Sequence, residues 1–195
     1  MSNVVKLSCS CGKVKGELLV IKKSYFHVQC MCCDCQSFSN YLNNKEGNIN
    51  NILDEHGASD LFQTYPRNMK ITEGIEQVSC IQLYNKGLYR WYADCCNTPI
   101  ANTMSSASVP FVGISVKFMQ FNDTQEKVSR LGPITLKAFG KYSIGEMPKD
   151  AHEKFPKLFL PKILSFMIKG WFGKKYNPSP FFKNGKVITK VNVLK

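Results

Sequence analysis

Six of the nine cysteines crowd into two N-terminal clusters, Cys9-Ser10-Cys11 and Cys30-Met31-Cys32-Cys33-Asp34-Cys35, and Cys95-Cys96 adds a third pair further along the chain. Thiols at one- and two-residue intervals converge naturally on a soft cation, because thiolates bind zinc tightly and a reducing compartment disfavours structural disulfides. Whatever this chain folds into must therefore bring these loops to shared points. Cys30, Cys32 and Cys35 form a C-x-C-x-x-C run in which one tight turn can present three sulfurs to one ion, with Cys33 as an extra thiol inside it. Cys9 and Cys11 cannot complete a tetrahedral site alone, and Cys95 and Cys96 are the available donors. Cys80 lies in an apolar stretch and reads as a small buried hydrophobe.

The segments between the cysteines read as strands. Val4 to Ile21 suits two strands joined by the first cysteine knuckle, and Tyr25 to Gln29 is a third that delivers the chain into Cys30. Gln36 to Tyr41 is expected to form a helical turn, and the Asn-rich segment 43–51 a loop. Strands follow at Asp60 to Tyr65, Val78 to Tyr84, Leu88 to Tyr92, Phe111 to Val116 and Ile134 to Phe139. Asn85-Lys86-Gly87 closes a hairpin, and a polar loop follows Val116. The pattern predicts a mainly β domain over residues 1–140, with Trp91 and Tyr92 in its core.

Residues 141–195 differ in character. They carry twelve Lys/Arg against three Asp/Glu, whereas residues 1–140 carry fourteen against eleven. Leu160, Ile163, Leu164, Met167, Ile168 and Trp171 recur at three- and four-residue spacing, which predicts an amphipathic helix from about Pro161 to Phe172, stopped by Gly173. The helix is expected to pack its Leu160, Leu164, Met167 and Trp171 face on the β body. Its basic polar face and Trp/Phe content also fit an interfacial membrane helix or a partner-binding face. Lys186 to Leu194 alternates as a terminal strand. Nucleic acid or an anionic membrane surface is the weaker reading of the basic charge, and a solvated face is the simpler one. No apolar stretch is long enough to span a bilayer and the first residues do not read as a secretory signal, so a cytoplasmic location is expected.

Three stretches resemble the glutathione-dependent formaldehyde-activating enzyme family, which includes centromere protein V: Cys9-Ser10-Cys11-Gly12, Cys30-Met31-Cys32-Cys33-Asp34-Cys35-Gln36, and Arg90 to Pro99 with its Cys95-Cys96-Asn97-Thr98-Pro99 end. The resemblance spans about residues 5–120. It implies the zinc-bearing β-tent fold, here with a C-terminal helical extension, and one or two Zn2+ ions per chain. One zinc would lie at Cys30, Cys32 and Cys35. A structural zinc would lie at Cys9, Cys11 and Cys96, with Cys95 as a possible substitute ligand, because Ala93 stands where the family has a first late cysteine and Asn97 where it has glycine. Met31 replaces a common histidine. The implied activity is that of a carbon–sulfur lyase acting on an adduct of glutathione, a small thiol, with formaldehyde.

Within that reading the three-cysteine zinc keeps an exchangeable position for a thiol sulfur. Asp34 is the nearest candidate proton carrier, although an Asp at this place commonly caps the turn through backbone amides instead. The alternative is a non-catalytic, zinc-stabilised binding or adaptor module, in which Cys33 or His27 closes the three-cysteine site. His56 and His152 read as surface or packing residues.

Overall fold

The computed structural model describes residues 3–21, 25–46 and 52–194. Three strands, β1 (Val4–Ser8), β2 (Lys15–Leu19) and β5 (Met69–Glu73), form an antiparallel sheet in the order β1-β2-β5. A larger eight-stranded sheet has the order β10-β3-β4-β9-β8-β7-β6-β13. Its members are β3 (Phe26–Cys30), β4 (Ser59–Thr64), β6 (Val78–Gln82), β7 (Tyr89–Ala93), β8 (Thr98–Thr103), β9 (Val112–Ser115), β10 (Leu136–Ala138) and β13 (Val191–Val193). A short hairpin, β11 (Phe182–Lys183) with β12 (Lys186–Val187), completes the strands. The mainly β character expected from the alternating pattern is therefore present.

The main core lies between the two sheets. Val5, Leu7 and Leu18 from the small sheet meet Phe62, Trp91, Ile100, Ile114 and Phe118, and the fully buried Phe181 stacks on Trp91 at 4.6 Å. Burial of this many large apolar side chains is the dominant stabilising term. The outer strands β10 and β13 both pair in parallel, with β3 and β6 respectively. The Val191–Val193 segment thus covers an edge that would otherwise present unpaired backbone groups.

Among the described residues three α-helices accompany the strands: α1 (Cys33–Asn43), α2 (Thr124–Leu131) and α3 (Leu160–Phe172). The expected turn at Gln36 to Tyr41 is a full helix that starts inside the cysteine motif itself. Of the Asn-rich loop, residues 47–51 lie outside the described residues. The polar loop expected after Val116 contains α2. Asp123 accepts a hydrogen bond from the Glu126 amide at 2.7 Å, and Glu126 accepts one from the Asn122 amide at 2.9 Å, so carboxylates satisfy backbone donors at the helix start.

Helix α3 forms where its spacing predicts, but it docks through a different face. Phe166 and Gly170 are its buried residues, whereas Leu160, Leu164 and Trp171 are exposed. The reason lies at Gly170, where an added Cβ would collide with Tyr65 and Pro110. That close approach turns Phe166 onto Tyr65, with ring centroids 4.2 Å apart, and lets the Tyr65 hydroxyl donate to the Phe166 carbonyl at 3.0 Å. Arg67 fixes the exit from the helix by donating to the carbonyls of Lys174 and Asn177. No helix among the described residues is long and apolar enough to cross a membrane.

Candidate metal centres

The knuckle between β1 and β2 is a tight backbone loop. The Cys9 amide donates to Val14 O, the Gly12 amide donates to Cys9 O, and Gly12 takes a positive φ of 76°. Across from it, the chain between β7 and β8 reverses over Asp94 to Asn97, and Asn97 adopts φ 56°. Asparagine is among the few non-glycine residues that tolerate this left-handed region. The reversal is what lets adjacent thiols face the same way. Cys9, Cys11, Cys95 and Cys96 place their sulfurs within 4.8 Å of one another.

Cys95 thus joins Cys9, Cys11 and Cys96 as a fourth member, and the alternation of an extended strand does not apply to it. Cys9 to Cys11 measures 3.6 Å, Cys9 to Cys95 3.9 Å, Cys11 to Cys95 3.3 Å and Cys95 to Cys96 3.9 Å. Four sulfurs at the Zn–S distance of about 2.3 Å in a tetrahedron stand about 3.8 Å apart, so the donor set fits one such ion. Burial raises the thiols of Cys9 and Cys95. Burial also opposes ionisation of Cys96, but hydrogen bonds from Ser10, Thr98 and the Cys11 and Thr98 amides outweigh it and bring that thiol down to about 6.

The second group forms where β3 runs into α1. Cys30 ends the strand, Cys32 is the residue before the helix, and Cys35 lies in its first turn, its amide bonded to Cys32 O. Their three sulfurs also lie within 4.8 Å of one another. Neither suggested fourth ligand joins them. Cys33 is exposed, and His27 is held elsewhere, between the Asp60 carboxylate at 2.8 Å and Gly132 O at 3.1 Å. Cys80 is buried apart from both groups, and burial pushes its thiol up to about 12.

Beside the three sulfurs stands Arg90, a residue that strand reading alone did not single out. It is 2% exposed, inward-facing on β7, and its guanidinium donates to Cys35 Sγ at 3.8 Å and to Asn102 Oδ1 at 3.4 Å. It also lies 3.7 Å from Asp34 and over the Phe38 ring. The signal in the sequence was a lone cation inside an apolar, aromatic strand between Tyr89 and Trp91, since a buried arginine requires partners. Thiol hydrogen bonds from Cys30 and Cys32, with Arg90 adding to them, hold Cys35 well below the ordinary thiol range despite its burial. Reciprocally, sharing of those hydrogen bonds raises Cys30.

Asp34 makes no capping bond at the start of α1. Its carboxylate instead accepts from the Tyr84 hydroxyl at 2.9 Å. Met31 is fully buried. A cavity of about 190 Å³ opens onto Cys30, Cys32 and Cys35, with Arg90, Asp34, Asn102 and Gln63 as its polar lining and Leu61, Leu88, Phe111, Phe139 and Phe155 among its walls.

The sequence profile of DUF6151, a family of unknown function, matches residues 1–192. The chain belongs to that family. Among curated proteins nothing matches it. A crystal structure of a Rhodobacter sphaeroides protein is similar at 15% identity and a TM-score of 0.45, covering 66% of this chain and 96% of that one.

Proposed function

We propose that in this DUF6151 protein Cys9, Cys11, Cys95 and Cys96 would hold a structural zinc and Cys30, Cys32 and Cys35 a second zinc beside a cavity that would take the sulfur of a small thiol. The observation that carries the reading is the pairing of a three-thiol group with a lined cavity and a buried cation. Three thiolates on a divalent ion leave one excess negative charge, and Arg90 beside Cys35 is placed to balance it. When bound, zinc would act as a Lewis acid that holds a thiolate.

The cavity is smaller than the roughly 300–1,000 Å³ of pockets that enclose a drug-sized ligand, so only the thiol end of a peptide such as glutathione would enter. Addition of that sulfur to formaldehyde forms one carbon–sulfur bond while the carbonyl π pair moves to oxygen, which takes up a proton. The reverse step returns thiol and aldehyde. Asp34, hydrogen-bonded by Tyr84 at the cavity lining, is the group placed to carry that proton. Resemblance to the glutathione-dependent formaldehyde-activating family in the same cysteine motifs supports the substrate class, and its β-tent is the architecture to which we assign these sheets.

Calorimetry with glutathione and with S-methylglutathione tests the reading. Glutathione should bind with release of a proton near neutral pH, visible as a dependence on buffer ionisation enthalpy, while the S-methyl compound should bind far more weakly. Equal binding of both would remove the metal–thiolate reading and leave a zinc-stabilised binding module.

A further inference from the structure

The apolar arc of α3 is wider than the β body can cover. With about 100° of rotation per residue, Ile163, Phe166, Met167 and Gly170 share one side of the helix, and Leu160, Leu164, Ile168, Trp171 and Phe172 occupy the adjoining side. The first set is buried or half-buried against Phe26, Tyr65 and Pro110. The second is open, with Leu164 61%, Trp171 57% and Phe172 76% exposed, and Leu158 just before the helix is 90% exposed. Clamping at Gly170 and by Arg67 holds the helix in this attitude, so the exposed row belongs to a docked element.

Charge says what fits against that row. Between Lys154 and Lys175 the chain has six lysines and no Asp or Glu. Lys162 and Lys169 are exposed on the helix flank beyond Phe172, and Lys157 and Lys174 are exposed just outside its two ends. A mixed-charge protein surface would ordinarily be met by lysines interspersed with carboxylates, whereas lysines alone call for an anionic surface, and a bilayer also takes up the exposed Leu, Ile, Trp and Phe: aromatic and aliphatic groups enter the acyl boundary while the ammonium groups reach the headgroups. We infer that α3 is a docked interfacial helix that seats the protein on an anionic lipid surface through Leu158, Leu160, Leu164, Ile168, Trp171 and Phe172. The inference rests on this face alone and not on the chemistry proposed for the cysteines.

Sedimentation of the full chain with vesicles tests it. The protein should pellet with vesicles of phosphatidylcholine and phosphatidylglycerol in equal parts and stay in solution with phosphatidylcholine alone. Binding should shift Trp171 emission to shorter wavelength, since the other tryptophan, Trp91, is already fully buried. Leu164→Glu and, separately, Phe172→Ser should abolish pelleting with unchanged thermal unfolding. Lys162→Ala and Lys169→Ala should each weaken it about fivefold. Absence of wild-type binding to the anionic vesicles would overturn the inference, as would binding that ignores both apolar substitutions. So would a dimer in light scattering that Leu164→Glu dissociates in a protein that does not bind vesicles, because the row would then be covered by a second copy.

Discussion

The two cysteine groups lower one thiol each, but by different means. At the first, Cys96 is acidified by neutral donors, namely two hydroxyls and two amides, and four sulfurs surround the point they share. At the second, Cys35 is lowered by the thiols of Cys30 and Cys32 with a buried guanidinium adding to them, only three sulfurs converge, and a cavity opens beside them. Donor count and charge compensation thus separate a group able to close around one ion from a group with a lined cavity beside it. The first gathers residues from loops distant in sequence; the second is local to one strand–helix junction.

The largest effect should come from breaking the first group. Cys9→Ser should lower stability by more than about 4 kcal/mol, read by urea unfolding, because it uncouples the β1–β2 knuckle from the β7–β8 turn. Comparable stability of the mutant and the parent would mean that the four sulfurs hold no ion. Arg90→Met should cost about 2 kcal/mol of stability and weaken glutathione binding at least about thirtyfold, since a buried charge partner is lost beside Cys35. Unchanged affinity would detach the cation from the site.

Cys32→Ser sharpens the contrast from the other side. It should remove one zinc per chain by metal analysis yet cost only about 1–2 kcal/mol, the fold being stapled elsewhere. The smallest effect concerns acid. Although burial opposes ionisation of Asp60, His27 and Lys127 more than compensate and hold its carboxyl below 3.8. A depressed carboxyl contributes stability above the unfolded value that is lost as pH falls through the folded one, so the difference between Asp60→Asn and the parent, on the order of 1 kcal/mol, should shrink only below about pH 4. Metal loss through thiolate protonation should begin at higher pH, and following zinc release separately from unfolding would expose the two steps.

What the sequence made legible was what depends on short spacing. The C-x-C-x-x-C sulfurs, the β1–β2 knuckle and the extent of α3 all follow from residues close in the chain. Cys95 was legible as an available donor and possible substitute ligand, but not its convergence together with Cys96, because strand alternation separates neighbours and the reversal at left-handed Asn97 brings them together. The docking face of α3 escaped for a related reason: apolar residues line both adjoining sides of the helix, and the side that wins is chosen by Gly170 fitting Tyr65 and Pro110 from elsewhere in the chain. Helix α2 carried a readable start in Asp123-Thr124-Gln125-Glu126, and its polar composition disguised it.

The parallel outer strands have a consequence for biosynthesis. Every cysteine in the two groups lies at or before Cys96, whereas β10 and β13, which finish the two rims of the large sheet, come from residues 136–138 and 191–193. During translation the sulfurs are in hand long before either rim is sealed, so the nascent chain can gather its ligands while its flanks still invite foreign strands. Truncations that remove Val191–Val193 should accordingly still take up zinc and yet aggregate, because the β6 edge is then left unpaired.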